Sequence, residues 1–157
     1  MKPKVYIETT IISYLTARPS RDLVVAAHQE LTVEWCNRRR HQFSLFVSRL
    51  VVDEASAGDS EMASRRLAEL LDIPILASNE EARELAKRFL DSRLIPMKAI
   101  DDASHVALAA MHGMDYLLTW NCRHIANAEI VRGLAEVCEM AGYALPMLCT
   151  PEQLMGD

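Results

Sequence analysis

The sequence predicts an α/β sandwich built on a mainly parallel central sheet of four to five strands. Three observations carry this. Short runs of strand-forming apolar residues recur along the chain, one or two amphipathic helical stretches separate each run from the next, and almost nothing between them has tight-hairpin chemistry. Parallel neighbours need long right-handed crossovers, and helices supply them. A chain of 157 residues is long enough for one such domain with a real core and too short for two ordinary ones, so residues 1–157 are expected to form a single domain.

Val5 to Ile7 reads as a short buried strand, with Thr9 or Thr10 starting a helical turn through Ile12 to Leu15 that ends at the loop Ala17-Arg18-Pro19-Ser20. Ser20 is the expected N-cap of a long helix in which Val24, Ala27, His28, Leu31 and Trp35 recur at helical spacing, and Arg38 to Arg40 suit its C-terminal dipole. Phe43 to Val47 forms the second strand. Ser48 caps a helix through Ala57, Gly58 ends it, and Asp59 or Ser60 starts another with Met62, Ala63, Leu67, Leu70 and Leu71 inward. Ile73 to Leu76 is a strand confined to an edge, because Pro74 cannot donate to a ladder. Ser78 and Glu81 have capping-box spacing ahead of a helix with Ala82, Leu85, Ala86, Phe89 and Leu90 inward. Asp101 or Asp102 opens a helix that stops at Gly113, and Tyr116 to Thr119 is the next central strand. Asn127 caps a last helix stopped by Gly142, and Ala144 to Leu148 forms the final strand. There is no internal repeat, low-complexity segment or flexible linker.

Half the residues are hydrophobic and a quarter are charged, and no apolar run approaches the ~20 residues of a membrane span. The chain therefore reads as soluble. Met1-Lys2-Pro3-Lys4 leads straight into a strand without signal-peptide features, so the cytoplasm is the expected location. Cys36, Cys122, Cys138 and Cys149 make neither a CxxC pair nor a zinc-spaced cluster and are read as free thiols. A net charge of −5 argues against the broad basic field of a duplex-DNA binder but leaves room for local phosphate contacts. Arg18, Arg21, Arg38 to Arg40, Arg49, Arg65 and Arg66 all fall in the first half of the chain, each individually an ordinary solvated residue.

In an open parallel sheet, functional residues gather where strands end at their carboxyl edges. Glu8 follows the first strand, Asp101 and Asp102 start a helix at the same edge, and Asn121 follows Tyr116 to Thr119 by two residues. Glu54, about two turns into the helix after the second strand and on the polar side relative to Leu50 and Val51, can overhang that rim. Carboxylates that converge repel one another, and a hard divalent cation is the natural compensation. Mg²⁺ or Mn²⁺ suits an all-oxygen set, whereas zinc prefers imidazole or thiolate, here offered nearby only by His105 and His124. His105, one turn after Asp102, reads as a helix-face histidine rather than a ligand. A cation so placed can lower the pKa of a bound water and neutralise charge on a scissile phosphate, which is nuclease chemistry. Each acid also has a structural reading: Glu8 as a cap, Glu54 as a solvated glutamate, Asp101 or Asp102 as an N-cap.

With these residues in place, the chain resembles the PIN-domain family and, within it, the VapC-like toxins of bacterial toxin-antitoxin pairs. "VYIETTIISYL" (5–15) resembles the family's opening strand, acid and hydroxyl residues, and "SRLVVDEASAGD" (48–59) its second-acid helix. "DDASHVALAAMHGMDYLLTWN" (101–121) resembles its third-acid helix, glycine stop and Thr-x-acid strand end, and "ALPMLCTPEQL" (144–154) its last strand. The resemblance covers nearly the whole chain and implies a three-layer α/β/α sandwich. It makes Glu8, Glu54 and Asp102 the first three acids and Asn121 the occupant of the fourth site, all catalytic and metal-binding, with Thr10 and Thr119 in support and Asp101 able to act in place of Asp102. Two departures stand out: Glu8 is a methylene longer than the usual aspartate, and Asn121 is neutral where aspartate is common. Three carboxylates and an amide oxygen balance one Mg²⁺ or Mn²⁺ better than two.

The function this implies is a metal-dependent endoribonuclease, the toxin of a toxin-antitoxin pair. Glu54 or Asp102 would help activate water, and Arg123 and Arg18 would touch RNA phosphate. The resemblance further implies an antitoxin protein as partner and a homodimer, for which the stretch from Leu23 to Ala27 with Trp35 is a candidate surface that a buried helix explains as well. The main competitor is a PIN-fold protein that binds nucleic acid or a partner without cutting, motivated by Glu8 and Asn121. A phosphatase or phosphate-accepting receiver fits less well, because Glu8 stands where an aspartate would be phosphorylated and there is no Gly-rich phosphate loop.

Overall fold

A computed structural model describes residues 1–157. The chain forms β1 (Lys4–Ile7), α1 (Thr9–Thr16), α2 (Leu23–Arg38), β2 (Ser44–Ser48), α3 (Arg49–Ala55), α4 (Ser60–Leu70), β3 (Ile75–Leu76), α5 (Glu80–Asp91), α6 (Ile100–Met111), β4 (Tyr116–Leu118), α7 (Ala128–Met140) and β5 (Met147–Cys149). Single 3-10 turns at Arg40–Gln42 and Met97–Ala99 lead into β2 and α6.

The five strands form one sheet in the order β3-β2-β1-β4-β5, and every pairing is parallel. Tyr6 of β1 lies opposite Phe46 on one side and Leu117 on the other. The chain first moves outward from β1 through β2 to β3, then returns to the far side of β1 for β4 and β5. With right-handed crossovers this places α1 to α4 on one face and α5 to α7 on the other. The helix contacts fall into the same two groups: α1 packs on α2, α3 and α4, while α5 packs on α6 and α7. The expected three-layer PIN-like sandwich is present, with five strands.

Central β1 is buried on both faces, its Val5, Tyr6 and Ile7 being at most 2% exposed. Side chains of this kind contribute about 1.5–3 kcal/mol each on full burial. Helix α6 lies close to the sheet because its buried positions include Ala103, Ala107, Ala109 and Ala110. Those small residues bring Asp102, at the start of α6, to the carboxyl edge.

Several local expectations shift. Asp22, not Ser20, caps α2: its Oδ1 accepts from Val25 N–H at 3.0 Å, while the Ser20 hydroxyl oxygen accepts from Asp22 N–H at 3.1 Å. Likewise Asn79 replaces the Ser78 and Glu81 box, accepting from Ala82 N–H at 3.0 Å. No side chain caps α6, because the 3-10 turn runs straight into it, so Asp101 and Asp102 sit inside its first turn. Leu71, expected inward, is 82% exposed because it falls one residue beyond the end of α4; of the residues that recur at helical spacing in α2, Trp35 is buried, together with Thr32, while Val24 is 64% exposed. Ala27 is exposed as well. Trp35, 1% exposed, belongs to the core. β5 begins at Met147, after Pro146, rather than at Ala144.

Candidate active site

The order of the sheet reverses between β1 and β4, and in open α/β sheets the crevice beyond the carboxyl ends at such a point is where ligands bind. The end of β1 supplies Glu8 there and the end of β4 supplies Thr119. Glu8 is 3% exposed. Its Oε1 accepts from the hydroxyls of Thr10 at 2.5 Å and Thr119 at 2.6 Å, and its Oε2 from Thr10 N–H at 3.2 Å. It is therefore also the N-cap of α1. The structural and the site readings of Glu8 hold together, since capping uses Oε2 and the hydroxyls fix Oε1.

From Glu8 a hydrogen-bonded chain runs along the rim. Thr10 Oγ1 accepts from Trp120 N–H at 2.8 Å, and Thr119 Oγ1 accepts from Asn121 N–H at 2.9 Å. Asn121 Oδ1 accepts from His124 N–H at 2.9 Å, and His124 Nδ1 lies 3.0 Å from Asp102 Oδ2. On the other side Thr9, the residue after Glu8, donates its hydroxyl to Glu54 Oε1 at 2.6 Å. That same oxygen is 2.6 Å from His105 Nε2. All four positions expected of the site, Glu8, Glu54, Asp102 and Asn121, are thus joined through Thr9, Thr10, Thr119 and His124.

Burial alone would raise the Glu54 carboxyl, but the side-chain hydrogen bonds from His105 and the Thr9 hydroxyl oppose it and hold the group below its ordinary 4.5. A lowered folded value means that Glu54 ionisation contributes stability fully present above about 4.5, lost as pH falls through the lowered value. In metal-free buffer, Glu54→Gln is expected to flatten the fall in melting temperature on the acid side of that window. Melting curves from pH 6 down to pH 3 check this; parallel curves for the two proteins would contradict it.

The supporting residues divide. Thr10 and Thr119 donate to Glu8, whereas Asp101 is exposed and makes no side-chain hydrogen bond, and Asp102 is the one of the two aspartates that bonds His124. Arg123 and Arg18 are both exposed; Arg18 shares a shallow concavity with Asp59, Glu61 and Met62, away from the rim bonds. Sequence reasoning missed Thr9 and Trp120 as site residues, and it placed His105 and His124 near the rim without their pairing to Glu54 and Asp102. His105, read as a helix-face histidine, lies within α6 and is fully buried. A lone histidine within the small-residue stretch of α6 was the available signal.

The donor set suits a hard cation in kind: carboxylate oxygens dominate, and Oε2 of Glu54 and Oδ1 of Asp102 accept no protein hydrogen bond. No three His, Cys, Asp or Glu side chains stand together as a ready cage. Each acid is also held by a protein partner: Glu8 by Thr10 and Thr119, Glu54 by Thr9 and His105, and Asp102 by His124. Burial pushes the Cys36 and Cys138 thiols up to about 11 and Cys149 up to about 12, which disfavours the reactive thiolate at three of the four free cysteines.

Fold and rim together define a PIN-like α/β sandwich with an acid-lined carboxyl edge. The comparison with solved structures agrees: a chain in the crystal structure of VapBC2 from Rickettsia felis bound to a DNA fragment from their promoter matches over 94% of this chain and 98% of that one, with TM-score 0.52 and 15% identity. At that identity the likeness establishes the fold. No family model and no curated protein matches the sequence. No helix is long and apolar enough to cross a membrane.

Proposed function

We propose that this chain is a metal-dependent endoribonuclease of the VapC kind, acting in the cytoplasm as the toxin of a toxin-antitoxin pair. The observation that carries the proposal is the set of hydrogen bonds that ties Glu8 through Thr119, Asn121 and His124 to Asp102, with Glu54 held by Thr9, the chain neighbour of Glu8, at the point where the sheet order reverses. Glu8, Glu54 and Asp102, with Asn121 beside them, would hold one Mg²⁺ or Mn²⁺. That ion would supply positive charge against the scissile phosphate and the attacking water.

The protein's own groups do the rest. Thr10 and Thr119 fix Glu8 so that its charge stays at the end of β1. Glu54, held ionised at neutral pH, offers an acceptor oxygen free of protein partners, and Asp102 offers another. Either can orient a water against phosphorus and take its proton. Arg123 and Arg18 would meet RNA phosphate.

A small antitoxin is the proposed protein partner. An apolar groove between α1 and α2, lined in part by Tyr14, Leu15, Ala26 and Val33, supports such a partner, as do the exposed Leu23 and Val24. A homodimer would use the same kind of surface.

One second reading has a specific observation behind it: a member of the fold that binds RNA or a partner without cutting. Asn121 brings no charge, and its amide oxygen already serves His124. Calorimetric titration with Mn²⁺ separates the two. Wild type is expected to bind one ion and Asp102→Asn to lose it; no binding heat in wild type would favour the inert reading.

A further inference from the structure

Behind Glu54 lies a polar chain that runs into the core. His105, fully buried, sits 2.6 Å from Glu54 Oε1 through Nε2 and 2.7 Å from Tyr6 Oη through Nδ1. Tyr6 Oη is in turn 2.7 Å from Ser48 Oγ, which accepts from Val51 N–H at 3.4 Å. Tyr6 and Ser48 are at most 1% exposed. These groups come from β1, the end of β2, α3 and α6, so the chain ties four elements to one carboxylate.

A count of hydrogens gives this chain a direction. Burial holds the Tyr6 phenol far above its ordinary range, so it keeps its proton. If Ser48 donates to Tyr6, Tyr6 donates to His105 Nδ1, and His105 Nε2–H donates to Glu54, every buried hydroxyl and ring nitrogen has a partner. With the ring reversed or doubly protonated, Nδ1–H would turn Tyr6 toward Ser48 and leave the Ser48 hydroxyl hydrogen without an acceptor in a dry site. The closed arrangement is also the one that aims a donor at Glu54.

Both donors that reach Glu54, His105 Nε2–H and the Thr9 hydroxyl, meet the same oxygen, Oε1. Oε2 is left without a protein partner. Glu54 sits on a seven-residue helix with its side chain 31% exposed, and these two donors make its side-chain hydrogen bonds.

We propose that His105 is the positioning residue for Glu54: a one-directional Ser48, Tyr6, His105 relay that pins Oε1 and leaves Oε2 for the chemistry at the rim. The proposal rests on Glu54 belonging to a cation-binding rim. It assigns His105 no contact with substrate or ion.

The test has two arms. In metal-free protein, long-range nitrogen-proton spectra of ¹⁵N-histidine are expected to show His105 carrying its proton on Nε2, in slow exchange, with the resonance displaced in Glu54→Gln. A proton on Nδ1, or an unchanged signal in that variant, overturns the relay whatever the protein's activity. The second arm is a mutant cycle read by Mn²⁺ affinity. His105→Leu is expected to weaken binding about 10–100-fold, as loss of a carboxylate's outer partner does, and His105→Gln to restore most of it. In the Glu54→Gln background His105→Leu is expected to add nothing. Independent losses that multiply would reduce His105 to a core residue. Should His105→Leu not fold, Tyr6→Phe keeps the core volume and is expected to show the same coupling to Glu54. Should wild type bind no Mn²⁺, the proposed function fails, and the spectra alone decide the relay.

Discussion

Glu8→Gln is expected to leave a folded protein that no longer cuts RNA. The substitution keeps side-chain size in a position only 3% exposed. An amide oxygen in the place of Oε1 still accepts from the Thr10 and Thr119 hydroxyls. The amide nitrogen then replaces Oε2 and faces Thr10 N–H, two donors 3.2 Å apart. Losing that cap costs about 1–2 kcal/mol, and a chain of this size loses about 2–4 °C in melting temperature per kcal/mol. The charge is lost entirely. Removing a group aimed at developing charge lowers rates by about 10²-fold or more, and a carboxylate shared with a cation should be at the upper end. A melt within several degrees of wild type together with undetectable cleavage is the expected pair of results; cleavage near wild type would remove Glu8 from the site.

Trp120→Ala is expected to be the more damaging change for stability. The indole is 9% exposed, its Nε1–H donates to Thr32 Oγ1 at 2.7 Å, and its ring stacks on His28 with centroids 3.9 Å apart. Tyr14 stacks beyond, 6.2 Å from the indole. Truncation of a buried tryptophan costs about 3–5 kcal/mol, mostly as a cavity, with the bond from the indole N–H to Thr32 lost while the Thr32 hydroxyl still donates to His28 O. The substitution keeps the main-chain N–H of residue 120 that donates to Thr10 Oγ1, which itself holds Glu8, so the rim is affected only through a shift of this backbone once the stack is lost. Denaturant unfolding should therefore show the stability loss, and cleavage by the folded fraction should fall as well. Trp120→Phe, which keeps the stack but not the indole donor, is expected to recover most of the stability. A Trp120→Ala midpoint equal to wild type would mean that the aromatic stack does not anchor α2 to the site.

The fold was legible because its punctuation is chemical. Gly113 and Gly142 close α6 and α7 at φ of +69° and +87°, and Gly58, at +84°, turns the chain between α3 and α4, a conformation glycine adopts without strain. Pro74 placed β3 on the sheet edge, where it is. The misses have equally local causes. Ser20 and Asp22, or Ser78 and Asn79, are interchangeable as caps when only the sequence is known, and the backbone selects the one next to the first helical residue. Apolar residues ring α2, so periodicity could not decide that Thr32 and Trp35 face inward while Leu23 and Val24 face out.

At the site, Glu8 and Asn121 were legible because each follows a strand, and Asp102 because it starts a helix beside one. The partners were not. His105 meets Glu54 across 51 positions and His124 meets Asp102 across 22, and no spacing rule encodes such pairings. Thr9 was passed over for Thr10, although the two hydroxyls serve different acids, Glu54 and Glu8. The consequence is chemical: a rim read as three bare carboxylates is one in which two of the three are matched with histidines.

The most direct measurement is cleavage of a mixed-structure RNA by the purified protein in Mg²⁺ or Mn²⁺ and in EDTA, with Asp102→Asn prepared identically as the control for contaminating nuclease. Wild type is expected to cut only with metal, and the variant not at all. Cleavage that persists in EDTA or in Asp102→Asn, or no cleavage by wild type in either metal, would contradict a metal-dependent nuclease working through this rim.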